Sequence, residues 1–283
     1  MPADRTPIIA VSSWSLHRAI GLSWWDSPAG PGTQAETWGR GTLDILDFPA
    51  AVASHGIRQI HLCHFHVADR SPAWLARFRD AMANAGVTLS MLLIDDGDLS
   101  DPAHHERDRA WIGGWIDTAA ELGAETARVV AGKAKPTPEA LALSASGLVP
   151  LVRRGKDAGV RIMTENWFDL LGGPDEVDTI LDRVDDLGFL ADFGNWKGES
   201  KYDGLDRIIR RADDTHAKAF FSEPGVMDAD DFGRCLAICE AAGYDGPYTL
   251  IYESTPDDEW SAVAIEERFV RDHFAAVPVR RPA

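Results

Sequence analysis

The sequence predicts an α/β fold, a (β/α)8 TIM barrel that forms a single domain over residues 1–283. Three observations predict it. A length of 283 residues is typical of one such barrel. Helical segments repeatedly end in Gly and are followed at once by an apolar run, as after Gly86 and Gly159. Eight apolar runs can be counted as strand candidates along the chain, and eight strands close this barrel.

The strand candidates follow one another at intervals that leave room for a helix each time. They begin near Ile8, Ile57, Val87, Thr126, Val160, Leu187, Thr215 and Tyr248. Helices are expected at 72–85, 101–122, 137–158, 228–242 and 256–274. A doubly wound open sheet is the alternative. It would carry a Gly-rich turn after the first strand, where this chain has Ser12-Ser13-Trp14-Ser15.

The segment 21–41 is too irregular for a helix and holds Trp24, Trp25 and Trp38 among Gly and Pro residues. Two interpretations stay open. It is either a packed surface loop, or a lid or subunit contact over the barrel mouth, because loops after barrel strands form the active-site face. The second interpretation would be compatible with a homo-oligomer.

The charge balance argues against several classes of partner. The chain has 28 Lys and Arg residues against 45 Asp and Glu residues, a formal net charge of −17. Nucleic acids and anionic membranes attract basic surfaces, so neither is an expected partner.

The N-terminal residues do not resemble a signal peptide, and no run is as long as a transmembrane helix. Cys235 and Cys239 are expected to be buried apolar residues, and the cytoplasm is the expected location.

Polar side chains end four consecutive strand candidates. Glu165 follows the fifth apolar run, Asp192 the sixth and Glu253 the eighth, and His216 lies within the seventh. An acid at a strand end is often a helix cap, but four such groups at matching places converge on one pocket of a closed barrel. Three carboxylates and one imidazole suit one divalent cation, with Mn²⁺ favoured over Mg²⁺, Co²⁺ or Zn²⁺.

These residues resemble those of a known family. Glu165-Asn166, Asp192-x-Gly194-Asn195, His216-x-Lys218 and Glu253 are similar to the pattern of the xylose isomerase-like TIM-barrel superfamily, nearest its sugar-phosphate isomerase/epimerase family. The resemblance covers nearly the whole chain. It implies that Glu165, Asp192, His216 and Glu253 bind the metal, and that Glu165 and Glu253 also act as the acid/base pair.

Two positions depart from the ketose-epimerase members of that family. They place His three residues after the metal-binding Asp, where this chain has Asn195, and Arg shortly after the metal-binding His, where it continues Lys218-Ala-Phe-Phe-Ser222. Both are substrate-binding positions by the resemblance. The differences argue against an epimerase of free ketoses and leave the metal site intact.

Further residues are candidates for contact with a substrate. Lys218 has the strand parity of His216 and lies nearer the mouth, which suggests either electrostatic stabilisation of a substrate oxygen or a proton donor of lowered pKa. His64 and His66 share one face of the second strand. Contact with a substrate and ordinary packing are equally open interpretations for these two histidines. Trp14 and Trp167 are placed to stack on a sugar or to pack at the mouth.

The residues predict a metal-dependent isomerase or epimerase of a sugar or sugar derivative, acting by proton removal next to a carbonyl. A lyase on the same barrel is the alternative, either a dehydratase of a keto-polyol or an enzyme that cleaves an oxidised glycoside. A non-catalytic barrel is disfavoured because it has no need of the strand-end carboxylates. A multi-metal nuclease is disfavoured by the missing additional ligands and by the acidic charge.

Overall fold

The structure, a computed structural model, describes residues 6–254 and 258–275. Eight strands within these residues form a closed parallel barrel. The strands are β1 (Ile9–Ser12), β2 (Gln59–Cys63), β3 (Thr88–Ile94), β4 (Thr126–Val129), β5 (Arg161–Glu165), β6 (Gly188–Asp192), β7 (Asp214–Lys218) and β8 (Tyr248–Ile251). Each pairs with its neighbours in chain order, and β8 closes the sheet on β1 with Ile9 beside Tyr248. The predicted (β/α)8 barrel is therefore confirmed.

A helix precedes or follows every strand on the outside of the barrel. The helices of seven residues or more are α1 (Phe48–Ser54), α2 (Pro72–Ala85), α3 (His105–Leu122), α4 (Pro138–Ala158), α5 (Pro174–Arg183), α6 (Ser200–Ile208), α7 (Ala229–Ala242) and α8 (Glu259–Ala275), and a four-residue helix, His17–Ile20, lies in the loop after β1. The five helices expected from the sequence are confirmed to within a few residues at their ends. The expected start of the last helix, at 256 and 257, lies outside the described residues.

The junction of helix, Gly and strand works as the sequence indicates. Gly86 ends α2 in the left-handed conformation at φ 63°, and its amide donates back to the last turn. The chain then enters β3, where six of seven residues are buried because the strand packs against helices outside and against the barrel interior inside. Repetition of this unit places every strand's carboxyl end at one mouth of the barrel.

The loops at that mouth carry additional short elements. Segment 21–41 contains the antiparallel pair Ser23–Trp24 and Gln34–Ala35, and the loop after β7 contains the pair Phe221–Glu223 and Val226–Met227. A 3-10 turn, His64–His66, follows β2. These insertions surround the end of the barrel where the strand-end acids lie.

The core has the composition expected for a barrel of this kind. Aliphatic and aromatic side chains fill the layer between sheet and helices, while Met91, Leu93, Met163 and Leu190 pack inside the barrel beneath the mouth. Cys235 and Cys239 are buried on α7 with free thiols, in agreement with the expectation of buried apolar residues.

Candidate functional site

Glu165, Asp192 and His216 meet at the mouth of the barrel. Glu165 and Asp192 are the last residues of β5 and β6, and His216 lies beside Asp192 in the register of β6 and β7. All three are buried. One ligand atom from each lies within 4.8 Å of the others. Three of the four ligands expected from the sequence are thus brought together.

Charges within this cluster are tightly coupled. His216 Nδ1 lies 3.2 Å from Glu165 Oε1 and 3.6 Å from Asp192 Oδ2. Burial opposes charge on the imidazole, but the two carboxylates outweigh it and raise the pKa of His216 to about 9. Burial likewise opposes charge on Asp192. The charges of Lys218 and His216 outweigh the effect of burial and hold the pKa of the Asp192 carboxyl well below its usual range. The cluster carries both signs of charge at neutral pH.

A second layer of hydrogen bonds orients the His216 ring. Its Nε2 lies 3.3 Å from His61 Nδ1, and His61 Nε2 lies 3.3 Å from Asp214 Oδ2. Burial lowers the pKa of His61, so it is neutral and accepts from His216 while donating to Asp214. This chain of hydrogen bonds keeps a proton on His216 Nε2, so Nδ1, which faces Glu165 and Asp192, is the nitrogen that would bind an ion once the ion displaces its proton.

Lys218, the last residue of β7, bridges the site. Its Nζ lies 3.4 Å from Asp192 Oδ2, 3.3 Å from Glu253 Oε2 and 3.3 Å from Asn195 Oδ1. The stem crosses Gly194 so closely that a Cβ there would lie 2.6 Å from Lys218 Cδ. Burial opposes the charge, but Asp192 and Glu253 raise the pKa of Lys218 above its ordinary value. Of its two predicted roles, the raised pKa favours electrostatic stabilisation over a proton donor of lowered pKa.

Glu253 lies apart from the three-residue cluster. It follows β8 by two residues, and its side chain is 40% exposed. Its Oε2 accepts from Lys218 Nζ and, at 3.2 Å, from Trp14 Nε1. The structure therefore places the expected fourth ligand at the rim, on the far side of the Lys218 ammonium from Asp192.

Arg128 and Asp95 also belong to the site, although the sequence reasoning missed both. Arg128, on β4, is buried, with Nε 3.0 Å from Glu165 Oε2 and a terminal nitrogen 2.5 Å from Asp95 Oδ1. Burial opposes charge on both groups, yet their mutual attraction raises the pKa of Arg128 and lowers the pKa of Asp95. Two signals could have found them: an arginine inside an apolar strand, and an acid directly after β3.

A cavity of about 410 Å³ lies above these groups. One side of its wall is charged, and the other is aromatic. Of the residues predicted from the sequence to form the site, those lining it are Glu165, Asp192, His216, Lys218, Glu253, Asn195, Trp14 and Trp167. Trp25 and Phe65 stack on each other at 4.0 Å between ring centroids and complete the aromatic side. Such a wall suits a small polyhydroxylated ligand with one apolar face.

His64 and His66 lie elsewhere. Both are buried in the turn after β2 and neither is among the residues that line the cavity. His64 Nδ1 accepts from the Asp95 amide at 3.1 Å, and its Nε2 donates to the Asp26 carbonyl at 3.1 Å. His66 lies 2.9 Å from Ser13 Oγ, and burial lowers its pKa to about 3. These contacts correspond to the ordinary-packing interpretation.

The Trp-rich segment 21–41 packs over the same mouth. The Asp26 carboxylate accepts from the indole nitrogens of Trp111 and Trp115 on α3, each at 3.0 Å. Trp38 packs edge-to-face on Trp14 at 5.5 Å between centroids. The segment therefore forms part of the cavity's wall.

The family profile described as xylose isomerase-like TIM barrel matches residues 49–272 of this sequence. The chain belongs to the xylose isomerase-like TIM barrel family. This confirms the resemblance stated from the residues. No curated protein sequence matches the chain significantly.

Several solved structures resemble the chain in fold. A xylose isomerase-like TIM barrel protein from Mycobacterium smegmatis, in complex with magnesium, has a TM-score of 0.68 at 17% identity and covers 98% of this chain and 99% of its own. A D-psicose 3-epimerase has a TM-score of 0.63 at 15% identity, with coverages of 94% and 96%. A 3-keto-D-glucoside 4-epimerase from E. coli has a TM-score of 0.62 at 14% identity, with coverages of 80% and 94%.

None of the helices within residues 6–254 and 258–275 combines the length and apolarity needed to cross a bilayer.

Proposed function

We propose that this protein is a divalent-metal-dependent isomerase or epimerase of a sugar or sugar derivative. The observation that carries the proposal is the buried cluster of Glu165, Asp192 and His216 on the floor of a cavity whose rim holds another carboxylate, Glu253. Membership of the xylose isomerase-like family and the sugar epimerases among the structures of similar fold support it.

The donor set fits a divalent cation. Glu165 Oε1 and Asp192 Oδ2 both face His216 Nδ1, the nitrogen that the His61 contact leaves available. Two carboxylates with one imidazole suit Mn²⁺, our preferred ion, and also Mg²⁺, Co²⁺ or Zn²⁺. Glu253 would have to move toward this cluster to join these ligands. When bound, such an ion supplies Lewis-acid polarisation of a substrate carbonyl.

The protein's own groups supply proton transfer. Glu165 reaches the cavity from β5 and Glu253 from the end of β8, so the two carboxylates approach a bound sugar from different sides. One takes the proton from the carbon next to the carbonyl, and a proton is returned to the neighbouring atom or to the opposite face. Lys218, kept protonated by Asp192 and Glu253, stabilises negative charge that develops on a substrate oxygen.

The test uses Glu165→Gln and Glu253→Gln, since glutamine keeps the size of the side chain but removes its basicity. Once a substrate is found in a screen of aldoses and ketoses with Mn²⁺, each variant should lower turnover by about 10²-fold or more. Glu121→Gln changes an exposed carboxylate in the last turn of α3, at the end of the barrel away from the mouth; it is the matched control and should leave turnover unchanged. Near-normal turnover of both site variants would contradict the two-carboxylate mechanism, and a product that has lost water would identify the lyase instead.

A further inference from the structure

A second cavity of about 580 Å³ lies next to the one above the metal-binding cluster. It is built by the loops that follow β5 and β6. Four residues line both cavities: Trp167, Phe168, Asn195 and Glu253. The two spaces are therefore neighbours at the rim, and one ligand can extend from the first into the second.

An aromatic pair separates the two cavities. Trp167 and Phe168 stack with ring centroids 4.3 Å apart and an interplanar angle of 26°. The Arg128 guanidinium lies 5.0 Å over the Trp167 ring, and Lys133 Nζ lies 5.4 Å from the Phe168 ring. Cations at both ends hold the stack in place, and through Arg128 it is connected to Glu165.

Phe168 has two features that packing does not explain. Its φ is 57°, a left-handed conformation that is unfavourable for a bulky residue with a Cβ. Its side chain is 36% exposed, so the ring does not gain full burial in return. Strained residues are characteristic of ligand-binding positions, where the required direction of a side chain determines the backbone. The strained backbone here aims an aromatic face at the junction of the two cavities.

The rest of the second cavity is polar. Asp169, Lys197 and Ser200 line it together with the aromatic pair, and they offer donors and acceptors suited to hydroxyl groups. An aromatic face with polar groups around it matches a sugar ring, which has an apolar C–H face and a polar edge. The volume is in the range that accommodates a small-molecule ligand by itself.

We propose that the second cavity is a subsite for a second ring, and that the substrate is a ketose or keto-sugar that carries a glycosyl or other ring substituent. Phe168 and Trp167 form the platform for that ring, while the ring that reacts occupies the cavity above Glu165, Asp192 and His216. The inference rests on the proposed function and specifies its substrate class.

Isothermal titration of the full chain with Mg²⁺ tests this. The probes are D-fructose and four disaccharides that end in fructose: turanose, lactulose, leucrose and palatinose. At least one disaccharide should bind tenfold or more tightly than fructose. In the Phe168→Ala variant, the affinity for that disaccharide should fall to the affinity for fructose. Phe220→Ala removes another exposed phenylalanine that lines neither cavity, and it should leave both affinities unchanged.

Phe168→Gly gives an independent readout if the alanine variant folds poorly. Glycine tolerates the positive φ, so this variant removes the ring while relieving the backbone strain, and it should likewise lose the disaccharide preference. Disaccharides that bind no better than fructose, or a preference that survives both Phe168 variants, would overturn the second subsite and leave the proposed function standing. Failure of all five ketoses to bind would overturn the subsite and its substrate class, while the turnover screen of aldoses and ketoses decides the proposed function separately.

Discussion

Lys218→Met is the most informative single substitution, because the lysine ammonium occupies the space beside the proposed ion. The methionine stem preserves the packing across Gly194 and removes the charge. Lys218 Nζ lies 3.4 Å from Asp192 Oδ2, and two unit charges at that distance attract by about 5 kcal/mol at an effective dielectric constant of about 20. Desolvation cancels much of this gross attraction. If roughly a quarter survives, the lysine competes with an ion for Asp192 by about 1.2 kcal/mol, a factor on the order of ten in affinity.

We therefore expect Lys218→Met to bind Mn²⁺ about tenfold more tightly than the wild-type protein while turning substrate over more slowly. Titration of the free Mn²⁺ signal by electron paramagnetic resonance measures the affinity. Lys156→Met makes the same charge change on an exposed lysine paired with Asp186, and it should leave the affinity unchanged. Weaker Mn²⁺ binding by Lys218→Met would refute the reasoning, because Lys218 would then order the ligands instead of competing for them.

Three other perturbations test separate parts of the structure. Burial raises the pKa of Glu266 well above 4.5, so ionisation of this carboxyl lowers the free energy of unfolding as pH rises. In urea unfolding, Glu266→Gln should have the same free energy of unfolding as the wild-type protein near pH 4, and one about 1–3 kcal/mol higher than the wild-type value at pH 8. His61→Phe removes the partner of His216 Nε2, and Mn²⁺ affinity should fall about 10–100-fold by titration; an unchanged affinity would contradict the orienting role. Asp26→Ala removes the acceptor of two indole N–H groups, so segment 21–41 should show faster hydrogen exchange and the protein should lose about 1.5–3 kcal/mol of stability.

Much of the barrel was predictable because its signals are local. A helix that ends in Gly, followed by a run buried on both faces, identifies most units without knowledge of their neighbours. The observed strands begin within two residues of the predicted positions, for example Gln59 against Ile57 and Arg161 against Val160. The short elements in segment 21–41 were not predictable, because its structure depends on contacts with α3 that are remote in sequence.

The cluster of Glu165, Asp192 and His216 was predictable for a similar reason. Strand ends converge in a closed barrel, so polar groups at matching ends must meet. The same rule applied to β3 would have identified Asp95, which directly follows the strand. Arg128 required a different signal, since a buried charge inside a strand has meaning only when its partners are known.

Other parts of the site depend on tertiary contacts. Strand alternation suggested a shared face for His64 and His66, but the chain leaves β2 at Cys63 and turns, so alternation no longer applies there. Glu253 was predicted to reach the ion, whereas hydrogen bonds from Trp14 and Lys218 hold it at the rim. Neither hydrogen bond can be inferred from the residues around Glu253, because Trp14 and Lys218 are both remote from it in sequence.

Proton exchange at the carbon next to a sugar carbonyl is the most direct test of the central claim. The protein is incubated in D₂O with a panel of aldoses, ketoses and fructose disaccharides, with Mn²⁺ or with a chelator, and the products are analysed by mass spectrometry and by NMR after the metal is removed. The proposed mechanism predicts an isomeric product that carries deuterium at the reacting carbon, formed with Mn²⁺ and not with the chelator. Equal turnover in the presence of the chelator, or a product that has lost water, would contradict it.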